Sequence, residues 1–111
     1  MLFLDLLKYV RPIEEIDIHL EAHREWLERA IEEGAVLMAG RRDPRIGGVI
    51  IVKAATIDEA RWLVEADPFI VARVAEYELI AWEPTMRSAD APAHWAPAAR
   101  VIGGNLAEDR S

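Results

Sequence analysis

The sequence contains no cysteine among its 111 residues. Without cysteine the chain forms no disulfide and offers no thiolate as a nucleophile or metal ligand, so these classes of stabilisation and chemistry are excluded. It also lacks any apolar run near the roughly 20 residues that a membrane-spanning helix requires, and it has no cleavable leader pattern at its start. We therefore predict a cytoplasmic protein that makes no membrane contact.

Positive charge is also scarce, since 13 Lys and Arg residues face 20 Asp and Glu residues, and the net charge is −7. A chain of this charge repels polyanions, so nucleic acid is not an expected partner. Neither a glycine-rich phosphate loop nor the Gly-flanked serine of a nucleophile elbow is present. The sequence therefore predicts no cofactor and no nucleophilic serine chemistry.

The hydrophobic pattern predicts a single α+β domain. Its elements follow the order strand 3–10, helix 12–33, strands 35–40 and 49–54, helix 56–66 with a further turn at 69–74, and strand 75–84. This βαββαβ order is typical of ferredoxin-like folds, which have an antiparallel sheet with the helices on one face. After Pro84 the composition becomes rich in Ala and Pro, so we divide the chain into a domain at 1–84 and an extended or partly disordered tail at 85–111.

Two local signals support the predicted helix ends. Gly34 follows the first helix in the place where a left-handed residue often ends a helix. Thr56 precedes Glu59 by three residues, which is the spacing of a capping box at a helix start.

The predicted strands carry apolar residues at successive positions, as in VIIVKA and AVLMAG. Alternate side chains of a strand point to opposite faces of its sheet, so both faces are apolar. Two helices cover one face and leave the other exposed. We therefore expect a homodimer formed through the open sheet face.

The segment HLEAHREWL, residues 19–27, places two histidines four residues apart on the first helix. His23 lies within the apolar stripe that faces the sheet, where it is either a hydrogen-bonded core residue or a proton carrier. His19 lies on the edge of that stripe, where it is either solvated helix surface or a contact to a substrate. A zinc-protease motif would need glutamate directly after the first histidine, and no third ligand is close in sequence, so no metal site is predicted.

Two acids stand out against their surroundings. Asp67 precedes Pro68 at a helix start, which is typical of capping, yet its carboxylate could instead orient His23 in a general acid–base pair. Asp5 interrupts an apolar first strand, where it is either solvated at a sheet edge or part of a polar site.

Arginines cluster around the predicted turn between the middle strands, at positions 41, 42 and 45. In an acidic protein such a group either is simply solvated or holds an anionic group of a substrate. Arg41, which directly follows the strand AVLMAG, is the candidate substrate contact.

Several segments together resemble the YciI family: AHREWLERAIEEG with His23 eleven residues before Gly34, then AVLMAG, PRIGGVII and EADPFIVARVAEYELIAWEP. The resemblance covers residues 1–84. It implies a ferredoxin-like subunit that dimerises as in the dimeric α+β barrel superfamily. It also implies a histidine–aspartate pair in a pocket, at His23 and Asp67.

Similar proteins act on chlorinated hydroxyquinols or lactones by elimination or isomerisation. The resemblance therefore predicts a small cofactor-independent lyase or isomerase, in which His23 moves a proton of a small organic molecule and Asp67 orients the imidazole. The alternative is a non-catalytic dimeric module that binds a small ligand or serves as an accessory subunit, because a fold alone does not fix function.

Overall fold

The computed structural model describes residues 1–103 and contains the predicted order of strands and helices. Its elements are β1 (Leu2–Tyr9), α1 (Ile13–Ile18), α2 (Leu20–Glu32), β2 (Val36–Arg41), β3 (Gly47–Lys53), α3 (Ile57–Val64), α4 (Pro68–Val71), β4 (Ala75–Trp82), β5 (Met86–Ser88) and β6 (Arg100–Ile102). Among these residues no helix combines the length and the apolar character needed to cross a membrane.

The main sheet has four antiparallel strands in the order β2-β3-β1-β4, so β1 is central. This order, with the helices on one face, confirms the predicted ferredoxin-like α+β fold, which is the subunit fold of dimeric α+β barrel proteins. Because side chains alternate along β1, Phe3, Asp5 and Leu7 share the helix-covered face.

The core lies between that sheet face and the helices. Phe3 and Leu7 of β1 contribute to it, together with Trp26 of α2 and Phe69 of α4. On α2 the buried residues are His23, Trp26 and Ala30, whereas Ile31 is 45% exposed. The face of α2 that meets the sheet therefore includes its tryptophan.

The predicted helix ends are confirmed. Gly34, which follows the C-cap residue Glu33 of α2, adopts a φ of +81°, a conformation that glycine adopts without the steric cost of a Cβ atom. The hydroxyl of Thr56 accepts a hydrogen bond from the backbone N–H of Glu59, and the Glu59 carboxylate accepts one from the N–H of Ala55. These contacts fix the entry into α3.

The prediction of one continuous helix over 12–33 is wrong at one point. His19 leaves helical geometry with φ −103° and ψ 4°, and it separates α1 from α2. Its backbone N–H donates to the carbonyls of Ile16 and Asp17, which is the tighter bonding of a helix end. The first helical segment is therefore a pair of helices with a break four residues before His23.

The sheet face opposite the helices is mainly apolar, with Glu78 of β4 beside Leu6 as an acidic exception. Leu4 of β1 lies between Ile51 of β3 and Ile80 of β4 on this face. Trp82 is 44% exposed and Ile80 40% exposed, and Met38 lies beside Ile51 in the same layer. We call the layer formed by residues 4, 6, 38, 49, 51, 80 and 82 the open sheet face.

The chain beyond Pro84 begins with a small substructure. β5 and β6 form a two-stranded parallel ladder, with a 3-10 turn at Ala93–Trp95 between them. The Lys53 ammonium donates to the carbonyl of His94 at 3.0 Å, and Ala96 is buried. The division of the chain at residue 84 stays a prediction, and the part of the predicted tail at 104–111 lies outside the described residues.

One glycine of β3 is required by the sheet itself. A Cβ atom on Gly47 would overlap the backbone carbonyl of Leu7, whereas a Cβ atom on Gly40 of β2 would meet nothing within 4 Å. Because the backbone of β1 must move to relieve this overlap, we expect Gly47→Ala to lower the free energy of unfolding by more than about 1 kcal/mol. Chemical denaturation measures the change.

Gly40→Ala is the matched control, and it should change stability little, because it adds a methyl group to open space in a strand. Equal stability of the two variants would show that β1 and β3 do not approach as closely as described.

Candidate functional site

His23 lies in the middle of α2 on the face that meets the sheet. It is buried together with Trp26 and Ala30, and only 8% of its surface is exposed. A buried imidazole needs a hydrogen-bond partner, because an unsatisfied polar group in an apolar core is costly. The burial of His23 therefore depends on the group that faces its ring.

That group is Asp67, which lies at the N-cap of α4 and is 0% exposed. The Nδ1 atom of His23 and the Oδ1 atom of Asp67 are 2.7 Å apart, although 44 residues separate them in sequence. The same oxygen accepts a hydrogen bond of 2.9 Å from the backbone N–H of Phe69. Asp67 thus caps a helix and contacts the imidazole at once, so its two alternative roles are compatible.

The contact with Asp67 leaves the second ring nitrogen of His23 available. Within the described part of the chain Nε2 makes no hydrogen bond, and it is not among the fully buried unpartnered atoms. A carboxylate at Nδ1 favours the neutral tautomer that carries its proton on Nδ1, which leaves Nε2 as the basic nitrogen. The arrangement therefore suits proton transfer at Nε2.

Aromatic packing fixes the plane of the imidazole. The rings of His23 and Phe69 stack with centroids 3.9 Å apart and planes inclined by 10°. Tyr9 packs edge-on against Phe69 at 5.9 Å. Because one side of the imidazole is covered by Phe69, the ring cannot rotate freely, and the direction of Nε2 is set by the core.

His23 lines a cavity of about 360 Å³ between α2 and the sheet. Leu20 and Leu27 of α2, Ile50 of β3 and the stacked Phe69 form apolar walls. A cavity of this size accommodates a small organic molecule, and apolar walls with a few polar groups are typical of ligand pockets.

Three arginines lie on the wall of the same cavity, namely Arg24, Arg41 and Arg45. Arg45 is held by Asp17 at 2.7 Å, and its guanidinium group lies 5.9 Å from the centre of the Tyr9 ring. Among residues 1–103 the guanidinium groups of Arg24 and Arg41 form no salt bridge. Two cations that have no acidic partner within residues 1–103 therefore line the cavity of an acidic protein.

The other residues that the sequence suggested lie away from this cavity. His19 lines a separate open groove with Arg11, Ile18 and Arg73, so the structure does not bring it to the cavity. Arg42 is exposed on the hairpin and lines neither space.

Asp5 is not solvated at a sheet edge, and that interpretation is wrong because β1 is the central strand of the sheet. Asp5 is 0% exposed and does not line the cavity. Burial, and to a lesser extent the Asp67 carboxylate, raise the pKa of Asp5 from 3.8 to about 7.

Sequence reasoning missed two residues of the cavity. Arg24 is adjacent to His23 in sequence, and its place on the helix edge could have been read from the helical period. Phe69 was predicted only as part of a helical turn, and its stacking on His23 depends on how α4 packs against α2. No pattern within either segment indicates that contact.

No group of three or more His, Cys, Asp or Glu side chains within residues 1–103 is arranged to hold a metal ion. The nearest candidate ligands, His23 and Asp67, contact each other. The described site is therefore a pair of hydrogen-bonded side chains beside a cavity.

Comparisons with known proteins agree with the fold described above. The model of the YCII-related domain family matches residues 1–83. A similar solved structure is the 5-chloro-2-hydroxyhydroquinone dehydrochlorinase TftG from Burkholderia phenoliruptrix AC1100, in complex with 2,5-dihydroxybenzoquinone. The sequence identity is 25%, the TM-score is 0.63, and the match covers 76% of this chain and 95% of that one. A comparison with curated proteins gave no match.

The buried Asp5 carboxyl group leads to a pH-dependent stability. Between about pH 4 and 7 the folded protein binds a proton at Asp5 that the unfolded chain has released, so this group lowers stability as pH rises through that window. We expect Asp5→Asn to remove this loss of stability with rising pH. The variant's free energy of unfolding, relative to wild type, should rise with a limiting slope of about 1.4 kcal/mol per pH unit and level off above pH 7.

Denaturation at several pH values measures this difference. Asp58→Asn is the matched control, because Asp58 is an exposed aspartate of α3. A difference between Asp5→Asn and wild type that stays constant from pH 4 to 8 would contradict the raised pKa of Asp5.

Proposed function

The chain belongs to the family of YCII-related domains, and from this premise we propose that it is a small cofactor-independent lyase or isomerase. His23 transfers a proton of a small organic substrate, and Asp67 orients the imidazole and offsets its charge. The proposal is supported above all by one observation. Nδ1 of a buried histidine is 2.7 Å from a fully buried carboxylate, beside a cavity large enough for a substrate.

The proposed reaction begins when Nε2 of His23 takes a proton from a carbon atom next to a carbonyl group, or from a hydroxyl group of the substrate. The electron pair of the broken bond forms a new double bond. In an elimination, the carbon–chlorine bond breaks and chloride leaves with its electron pair. In an isomerisation, the imidazolium returns the proton to another atom, so that atoms and electrons balance without an oxidant.

Asp67 contributes through its position. When His23 accepts a proton, the imidazolium forms next to a carboxylate that already holds Nδ1–H, and the two opposite charges stabilise each other in the core. The backbone N–H of Phe69 holds the same carboxylate oxygen in place. The pair therefore needs little reorganisation during proton transfer.

The substrate that fits this cavity is small and oxygen-rich. The similar dehydrochlorinase is named for a chlorinated hydroxyhydroquinone and was solved with a dihydroxybenzoquinone. Such rings are flat and become anionic when a hydroxyl group ionises. We propose that Arg41, with Arg24 beside it, binds the anionic oxygen while the flat ring packs against the apolar walls.

The catalytic proposal is tested by turnover in deuterated water. Wild-type protein is incubated with 5-chloro-2-hydroxyhydroquinone and with a set of hydroxylated cyclic ketones and lactones. Chloride release and deuterium incorporation into carbon are measured by ion chromatography and mass spectrometry. We expect one of these two signals for at least one compound. His23→Ala should then reduce the rate by roughly 10²–10⁴-fold, because the general base is lost.

His94→Ala is the matched control, since His94 lies in the chain beyond Pro84 and away from the cavity. A compound that binds to wild type without deuterium exchange or chloride release would instead identify the chain as a non-catalytic ligand-binding module. Full activity of His23→Ala would reject His23 as the proton carrier.

A second prediction concerns the arginine at the cavity. Arg41→Gln should raise KM for an anionic substrate about 10-fold or more and leave kcat nearly unchanged, because the lost contact acts on binding rather than on proton transfer. Arg42→Gln is the control on the same hairpin, since Arg42 does not line the cavity. Equal KM values for the two variants would show that Arg41 does not contact the substrate.

We further propose that two copies of the chain pair through the open sheet face. The face exposes Met38, Val49, Ile80 and Trp82, and a contiguous apolar patch of this kind on one subunit favours an interface. The α+β fold of the chain is that of dimeric barrel proteins, in which the sheets are the surfaces that meet. A second copy of the same face is the self-complementary occupant that a two-fold axis requires.

Sedimentation equilibrium measures this association. Wild type should sediment at twice the chain mass of 12.5 kDa. Ile80→Glu should shift the mass to that of one chain, because it places a charge in the apolar interface. Trp62→Glu is the control, since Trp62 is 79% exposed on α3, away from the open sheet face. A wild-type monomer at micromolar concentration would reject the dimer.

A further inference from the structure

Asp5 is a second buried carboxyl group close to the site, and the proton transfer described above does not use it. It lies on β1 between Ile50 of β3 and Leu79 of β4, which are both apolar. Its exposed fraction is 0%, and within the described residues neither of its oxygens has a hydrogen-bond partner. An ionised carboxylate in such surroundings is costly, because it gains no compensation for its lost hydration.

Asp67 also has a buried carboxylate oxygen that lacks a hydrogen-bond partner within the described residues. Its Oδ1 atom is shared by His23 and the N–H of Phe69, but its Oδ2 atom is buried and has no partner among residues 1–103. If Asp5 and Asp67 were both ionised, two negative charges would repel each other in an apolar core, and one of them is in contact with the imidazole of His23. Two carboxyl groups in such a setting avoid ionising together, so one of them keeps its proton.

We propose that Asp5 is a positioning residue of the site: as a neutral acid it leaves the His23–Asp67 pair with a single negative charge, and its ionisation adds a second charge that holds the proton on His23. This inference rests on the proposed function, because it gives Asp5 a role in the proton chemistry of that pair. Asp5 does not line the cavity, so it acts on a substrate only through the pair.

The hydrogen bonds of Asp5 and Asp67 determine which of the two acids stays neutral. Asp67 has a donor from His23 and a backbone donor from Phe69, both of which stabilise its ionised form. Asp5 has neither, and burial followed by the Asp67 charge raises its pKa to about 7. An ordinary imidazole titrates near 6.5, so Asp5 changes charge in the pH range in which a histidine base works.

The titratable groups around Asp5 do not supply a charge that would compensate for its ionisation. The titratable groups that interact electrostatically with Asp5 are Asp67 of α4 and Tyr77 of β4, and His23 of α2 contacts Asp67. Burial first, and then Glu65, raise the pKa of Tyr77. Arg61 acts in the opposite direction, and Asp5 adds a rise smaller than the effect of Arg61. Tyr77 is therefore neutral when Asp5 titrates, and it supplies no charge that would compensate an ionised Asp5.

The consequence for the reaction is a coupled titration. When Asp5 is neutral, His23 releases its proton against the attraction of one carboxylate. When Asp5 ionises, a second negative charge acts on the pair and favours the imidazolium. A permanently neutral residue at position 5 removes this second charge.

The test is a pH titration by NMR of protein labelled with ¹³C at the aspartate carboxyl carbons and with ¹⁵N in the histidine rings. In wild type we expect the Asp5 carboxyl signal to titrate near pH 7, and the ring signals of His23 to show an inflection at the same pH. In Asp5→Asn the Asp5 carboxyl signal is absent, and the His23 ring signals lose the inflection that follows Asp5. Asp58→Asn, at an exposed position, keeps both wild-type features.

The inference is overturned if the Asp5 signal titrates near pH 4, or if the His23 ring signals do not respond when Asp5 ionises. The wild-type titration decides this by itself should Asp5→Asn fail to fold. The same spectra report whether Nδ1 of His23 carries the proton toward Asp67. If His23 has a fixed Nδ1–H tautomer but does not respond to Asp5, this inference is rejected and the proposed function is retained. If His23 responds to Asp5 but lacks that tautomer, the proposed function is rejected and the electrostatic coupling is retained.

Discussion

The hydrogen bond between Nδ1 of His23 and Oδ1 of Asp67 is the interaction on which the arrangement of the site depends. It joins α2 to the start of α4 across the core, and both partners are buried. Loss of Asp67 would leave the imidazole of His23 buried without this partner, and loss of His23 would leave the buried Asp67 carboxylate with only the N–H of Phe69, so either change is destabilising. The same bond holds the imidazole against Phe69, beside the cavity wall. Stability and the proposed proton chemistry therefore depend on the same pair of atoms.

The remainder of the subunit holds this pair in place. The central strand β1 carries Asp5 beneath the site, and its neighbour β3 carries Ile50 into the cavity wall. The tight approach of β1 to Gly47 fixes the register that brings Asp5 opposite Ile50. A one-residue slip would turn Asp5 to the open sheet face and exchange it for a leucine. Strand register thus determines which charges lie near the histidine.

The sequence predicted the fold well because its signals are local. Apolar periods mark the strands and helices, and Gly34 and Thr56 mark helix ends that the structure confirms. His23 was recognisable as a polar residue on an apolar stripe, and the family resemblance pointed to Asp67. The surroundings of these residues were less predictable, since the stacking of Phe69 and the burial of Asp5 depend on packing between distant segments. The break at His19 likewise has no clear signal in a stretch whose apolar period continues through it.

The central claim is that Asp67 holds the imidazole of His23 so that Nε2 is the basic nitrogen. Its most direct measurement is the ¹⁵N spectrum of the His23 ring at a pH where the imidazole is neutral. The account predicts a proton on Nδ1 and an unprotonated Nε2 in wild type, and a mixture of tautomers in Asp67→Asn, whose amide does not impose one tautomer. A neutral ring with its proton on Nε2 in wild type would contradict the account, because no base would then be left for a substrate in the cavity.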